Sequence, residues 1–449
     1  MKNCGSDEEQ ISLRQRVWAL AWPVIGENFM QTTLGIVDTL LVSGLGAAAL
    51  AGVGTAQEVM FLIIAALSAL SVGSAVLVAQ AVGALERDRA SRFAQQSILW
   101  SALLGLPLAA AGFLGADATV SLFGLEPDVA QIAADYLRVT VGTAMVLTTF
   151  TIGSGVLRGA NDSRTPMQIT ALANVVNFVL TYAMIYGKWG LPAMGAVGSA
   201  WATFLSRVLA LSILLVVLWR GRNGVRIRGT GSWLPSWRVA RRVMSIGVPA
   251  ALEQILTSAA NFMLAIVVAH LGTHTLAAHR ILFNALSLSL LPGIGFALAA
   301  TSLVGQSIGA KEPRQGQAAA RIATQGALLW MGAMGLLSVI FAPQIIGLYS
   351  HEPAVIRAGT GGLRIMALLQ PLWAIIIVQS GALRGMGNTR YPLWVAAGYI
   401  WAGVLLGACF VQMFDGGLAM IWSALFLTTA PAAWLLWRQF GREVEGLAG

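Results

Sequence analysis

Apolar runs about 20 residues long follow one another along the whole chain, and each can cross a hydrocarbon layer of roughly 30 Å as a helix. Twelve such spans are expected, at roughly 18–43, 52–79, 94–115, 134–155, 166–187, 193–218, 240–270, 277–305, 319–343, 362–383, 392–413 and 417–437. The short alternating segments of an outer-membrane barrel are absent. The pattern predicts an all-α, polytopic membrane protein with 12 transmembrane helices. Its first run, Trp18 to Ser43, is broken by Glu27, Gln31 and Asp38. At 3.6 residues per turn these three share one face with Leu34. Lipid rejects carboxyl groups, so that face must meet protein or trapped water.

The chain repeats itself at a constant offset of 226 residues. Pro23 and Glu27 recur as Pro249 and Glu253, and VAQAVGA at Val78–Ala84 returns as VGQSIGA at Val304–Ala310. GVLRGANDSRTPM at Gly155–Met167 returns as GALRGMGNTRYPL at Gly381–Leu393. Six spans per repeat is an even number, so the halves should lie parallel, as two six-helix lobes related by a pseudo-two-fold along the membrane normal. The expected organisation is an N-terminal tail at 1–17, an N-lobe at 18–218, a basic linker at 219–239, a C-lobe at 240–437 and a C-terminal tail at 438–449. Such a layout places cargo near mid-membrane, with one lobe rocking against the other.

Composition adds to this picture. The chain is 57% hydrophobic and 10% charged, against about 25% charged for soluble domains. A net charge of +9 raises the question of nucleic acid. Only Arg138, Lys188, Arg207, Arg280, Arg357 and Arg364 of the 28 basic residues lie away from the two ends and alternate loops. The positive-inside rule then puts both termini and the even-numbered loops in the cytoplasm, in an inner-membrane protein. Loops on the other side carry Asp117, Glu126, Asp128, Glu352 and Asp415. The basic excess is topology, so no nucleic-acid partner is expected; the protein is read as a monomer in contact with lipid. Cys4 and Cys409 imply no disulfide framework.

The candidate chemistry is ionic. Asp38 is read as a proton or cation site, because burial penalises a charged carboxyl unless a partner is at hand. In the fifth span Asn174, Asn177 and Thr181 form one polar stripe, able to hold a protonated carboxyl or to offer neutral oxygens to a cation. Helix-to-helix hydrogen bonding is the plainer use of such residues. Glu253 is a second buried acid, with Thr257 on its face; Asn284 stands where Glu58 stands in the first repeat. Ion coupling is assigned to Asp38, Asn174, Asn177, Thr181 and Glu253. Substrate contact is assigned to Gln31, Leu34, Asp38, Asn177, Glu253, Thr257 and Asn284. His270, His274 and His279 fit no standard metal spacing. No HExxH motif or pair of membrane aspartates is present, so neither catalysis nor a bound cofactor is expected. Buried charge is expected to be mainly acidic, from Glu27, Asp38 and Glu253, which disfavours a pyrophosphate-linked cargo.

GIVDTLLVSGLGAAALAG from Gly35, the paired VAQAVGA and VGQSIGA, the twin LRG loops and LGTHTLAAHR from Leu271 resemble the multidrug and toxic compound extrusion family across essentially the whole chain. The VDT context of Asp38 and the Asn-rich fifth span are most similar to its DNA-damage-inducible F branch. The resemblance implies an antiporter that expels organic, often cationic, amphipathic compounds against a proton or sodium gradient. It implies a protonation site at Asp38, with partners at Asn177 and Thr181. At Thr181 a hydroxyl stands where that branch carries a second acid, which favours protons over sodium. Glu253 matches a seventh-span glutamate used for coupling in other branches, and no acid stands near Leu369–Gln379, where some sodium-coupled members carry an aspartate. Sodium coupling, and a lipid-linked oligosaccharide flippase of related fold, are the alternatives.

Overall fold

A computed structural model describes residues 4–229, 233–414 and 417–448. Asp415 and residues 230–232 of the expected linker lie outside the described residues. The order is all helical: α1 (Cys4–Ser43), α2 (Ala47–Gly83), α3 (Arg87–Leu114), α4 (Ala116–Ser121), α5 (Pro127–Gly142), α6 (Ala144–Gly159), α7 (Arg164–Tyr186) and α8 (Gly195–Arg220), then α9 (Trp237–Ala269), α10 (Thr273–Gly309), α11 (Pro313–Ile340), α12 (Ala342–Tyr349), α13 (Pro353–Met386), α14 (Arg390–Phe414) and α15 (Leu418–Ala448). Among the described residues no strand is present beyond an isolated bridge between Arg222 and Val225.

Among the described residues nine helices are long and apolar enough to cross a membrane, and α5 with α6 makes a tenth, bent by 47°. The 40-residue α1 and 37-residue α2 complete the 12-span plan. The bend departs from the single fourth span expected at 134–155. Thr143 leaves helical geometry at φ −100, ψ 12. Its hydroxyl donates to the Thr140 carbonyl at 2.8 Å, the kind of local bond that competes with a regular helix.

The repeat is obeyed at the level of turns. α2 and α10 begin at Ala47 and Thr273 and end at Gly83 and Gly309, each 226 residues apart, and α3 and α11 keep the same offset. Gly46 and Gly272 precede α2 and α10 with φ of 105 and 101, a conformation that only glycine adopts cheaply. Asn161 and Gly387 are left-handed at matching positions, as are Leu85 and Lys311.

Packing divides the chain into two compact units, Gly26–Ala251, and Met1–Ile25 with Leu252–Gly449. These differ from the expected lobes: the start of each repeat belongs with the other repeat's helices. In the second unit, Trp18 packs edge-on against Phe296 at 5.1 Å, and Gly295 sits against Ile25 and the Ala21 carbonyl. In the first, Gly73 faces the Val243 backbone, and Trp237 packs on Trp100 at 5.8 Å. The expected tails at 1–17 and 438–449 are helical where described, because no proline interrupts either stretch. The linker is also packed. Val225 and Ile227 are buried in the first unit's core, and Arg222 pairs with the buried Asp162 at 2.9 Å.

Candidate functional site

Six helices of the Gly26–Ala251 unit surround a cavity of 530 Å³. α1 contributes Glu27, Gln31, Leu34 and Asp38, the face anticipated from its spacing. α7 contributes Thr170, Asn174 and Asn177; α8 contributes Thr203, Ser206 and Arg207. Gln57 of α2, Tyr136 of α5 and Ser154 and Arg158 of α6 add to the polar lining, with Asn28, Thr140 and Thr151.

Two different electrostatic arrangements occupy this space. Near one end Glu27, 2% exposed, accepts from Arg158 at 2.7 Å. It also accepts from the Thr170 hydroxyl at 3.3 Å. That carboxylate is fully supplied with donors. Asp38, 9% exposed, has no such clamp, and its Oδ1 is buried with no hydrogen-bond partner among the described residues. The Thr181 hydroxyl and the Arg207 guanidinium are the polar groups that act on its carboxyl. The unpartnered Nδ2 atoms of Asn28 and Asn174 and the Oγ of Ser154 also lie on the cavity residues. A buried polar atom without a partner is costly, so this lining calls for water, a proton or a polar guest.

The fifth-span stripe divides its labour. Asn177 donates to Thr203 at 3.1 Å and Ser206 at 3.3 Å, and accepts from Thr181 at 3.3 Å. These bonds tie α7 to α8 and orient Thr181. Asn174 has a free donor and faces the cavity.

Of the expected residues, the cavity brings together Gln31, Leu34, Asp38, Asn174 and Asn177, with the buried Thr181 behind Asn177. Glu253, Thr257 and Asn284 belong to the other unit and do not line it. Glu253 is held by Arg384 at 2.6 Å, and the exposed Asn284 donates to its own helix at the Arg280 carbonyl. The expectation that buried charge is mainly acidic does not hold for this cavity. Arg158 and Arg207 balance Glu27 and Asp38, because Arg158, counted as a loop residue, and Arg207, in the middle of α8, both reach into the bundle.

Arg158, Arg207, Tyr136 and Gln57 were not identified from sequence. A signal for the first was available. Glu27 and Arg158 are 131 residues apart, as are Glu253 and Arg384. A twice-kept spacing between opposite charges points to a pair. Among the described residues no group of His, Cys, Asp or Glu could hold a metal ion. His274 meets Glu352 at 3.2 Å, and His279 packs edge-on against Phe283 and tilted against Trp422.

Comparison with known proteins follows the same architecture. The MatE family profile matches residues 23–183 and 249–408, two copies whose starts differ by the repeat offset. The probable multidrug resistance protein NorM of Thermotoga maritima is 33% identical over 428 residues, covering 94% of this chain and 90% of that one. Multidrug resistance protein MdtK of Yersinia pseudotuberculosis is 27% identical, covering 93% of each. A solved structure described as MATE in the bent conformation superposes with a TM-score of 0.91 at 25% identity, covering 100% of this chain and 99% of its own.

Proposed function

The chain belongs to the MatE family of membrane transporters, and from that premise we propose that it is an efflux antiporter, exporting organic, often cationic, amphipathic compounds in exchange for protons bound at Asp38. The observation that carries this reading is the unpartnered carboxylate oxygen of Asp38 in a 530 Å³ polar cavity. With Asp38 charged, its field offsets that of Arg207, and the cavity tolerates a cationic guest near Gln31, Leu34 and Asn174. Protonation removes that negative charge and leaves Arg207 uncompensated. In a space poorly screened by water, like charges repel strongly, so the proton and the cation exclude one another. The neutral acid also gains a hydrogen to donate, to Asn174 or Thr181. Glu253 also has a buried oxygen, Oε2, without a partner, but Arg384 stands at 2.6 Å from its other oxygen and neutralises its charge, so coupling is assigned to Asp38. The names of the relatives, both multidrug resistance proteins, support drugs or toxins as cargo. The distribution of arginines supports an inner-membrane location with both termini cytoplasmic.

Reconstituted vesicles test the mechanism directly. Wild-type protein should drive drug exchange under an imposed proton gradient with no sodium present. Asp38→Asn should lower that exchange at least about tenfold, the effect of losing roughly 1.4 kcal/mol, while eluting and unfolding like wild type. Unchanged proton-driven exchange in Asp38→Asn removes Asp38 from the mechanism; exchange that needs sodium replaces the proton as coupling ion.

A further inference from the structure

The unit formed by Met1–Ile25 and Leu252–Gly449 holds a larger cavity, of 790 Å³, that the transport mechanism does not use. Arg314, Gln317, Arg321 and Gln325 stand along one face of α11, and Arg14 of α1 joins them. The lining contains no carboxylate. None of the three arginines forms an ion pair among the described residues. Three guanidinium groups lining one space, with no counter-ion among the described residues, call for an anion.

A second observation comes from the cavity's inner wall. Gln379, 2% exposed, donates from Nε2 to the Thr324 hydroxyl at 3.1 Å. That hydroxyl donates to the Ala320 carbonyl at 2.8 Å, so it can only accept from Gln379. The amide orientation is thereby fixed, and Oε1 is left buried with no partner. The cavity presents cationic donors at one level and a lone acceptor at another, beside the apolar surfaces of Trp437, Phe440 and Leu328.

The other repeat shows how such a helix face is otherwise covered. Positions 226 earlier are Asp88, Ser91 and Gln95 on α3. There the linker lies across the helix: Arg226 N–H donates to Ser91, and Gln96 bonds the backbone of Leu234 and Ser236. On α11 Arg314, Gln317 and Arg321 stand at those positions and line an open space.

We propose that this cavity binds an anionic phospholipid of the phosphatidylglycerol type. Its phosphodiester would lie among Arg14, Arg314 and Arg321, and a headgroup hydroxyl would donate to Gln379. Acyl chains would follow the apolar wall toward Leu329 and Trp330, which are exposed on α11. The apolar side chains of Leu328, Trp437 and Phe440 in the same lining favour a lipid over a soluble phosphate.

Native mass spectrometry and thermal unfolding of the purified full-length protein test the assignment without any transport assay. Wild type should retain phosphatidylglycerol over phosphatidylethanolamine and unfold at higher temperature in its presence. Arg314→Gln and Arg321→Gln should each weaken retention about fivefold. Arg438→Gln, which lies over Trp434 and outside the cavity, should leave retention unchanged. Gln379→Leu should weaken phosphatidylglycerol binding while sparing phosphatidylmethanol, which has no headgroup hydroxyl. Equal retention of phosphatidylethanolamine by wild type overturns the proposal whether or not the variants fold. So does stabilisation by inorganic phosphate alone that matches the lipid, which would make the occupant a soluble anion.

Discussion

Glu27 and Arg158 are both drawn out of water, with side chains 2% and 17% exposed, and each is the other's counter-charge. Breaking a pair of this kind leaves one charge stranded. Glu27→Gln or Arg158→Met alone should destabilise the protein by about 3 kcal/mol, and the double variant Glu27→Gln with Arg158→Met should recover much of that loss. A double-mutant cycle in detergent unfolding measures the coupling. Asp162, in the turn between α6 and α7, gives a pH signature. Burial pushes its carboxyl up, but bonds from the Thr165 side chain and backbone and from Arg222 outweigh that and hold it below the ordinary 3.8. A carboxyl lowered in the folded state stabilises above its unfolded value, and that contribution is lost as pH falls through the folded one. Unfolding temperature should therefore drop below about pH 4 in wild type, and drop less steeply in Asp162→Asn. Asp38 was legible from sequence because a carboxyl in an apolar run contradicts its surroundings. Arg207 was not, since nothing in the apolar run around a lone mid-span arginine says which acid on another helix it will face.

At the scale of elements, helix crossing is set by small residues. Gly155 and Gly159 on α6 face the backbone of Ser71 and Ala75 on α2, and Gly381 and Gly385 on α13 face Ala297 and Thr301 on α10. This is the small-xxx-small device that lets membrane helices approach closely, and the offset of 226 residues preserves it. A Cβ on Gly385 would stand 2.5 Å from the Thr301 carbonyl oxygen, too close for either backbone to yield cheaply. Gly385→Ala should cost about 1–3 kcal/mol, read as a lower unfolding temperature. Alanine at Gly398, where a Cβ meets nothing within 4 Å, should be neutral by the same measure. Span positions were legible because each follows from an apolar run. The break at Thr143 was not, because its sequence continues the apolar pattern and only the backbone geometry shows the turn.

For the whole molecule, an even number of spans requires both ends on one side, and the positive-inside rule applied to the arginine-rich loops predicts that this side is the cytoplasm. A reporter that fluoresces only in the cytoplasm should be bright when fused at either terminus; a dark fusion at one end overturns the span count. The sequence by itself determined the helical class, the duplication, the span positions and the buried acid. These are local or periodic properties, written in hydropathy and in a fixed offset. Tertiary structure alone decided which groups meet. It paired Glu27 with Arg158 and Glu253 with Arg384, set Arg207 against Asp38, and grouped Met1–Ile25 with the helices of the second repeat. Such partners lie far apart along the chain, and the approach of two charges depends on helix rotation and crossing, which no single hydrophobic run encodes.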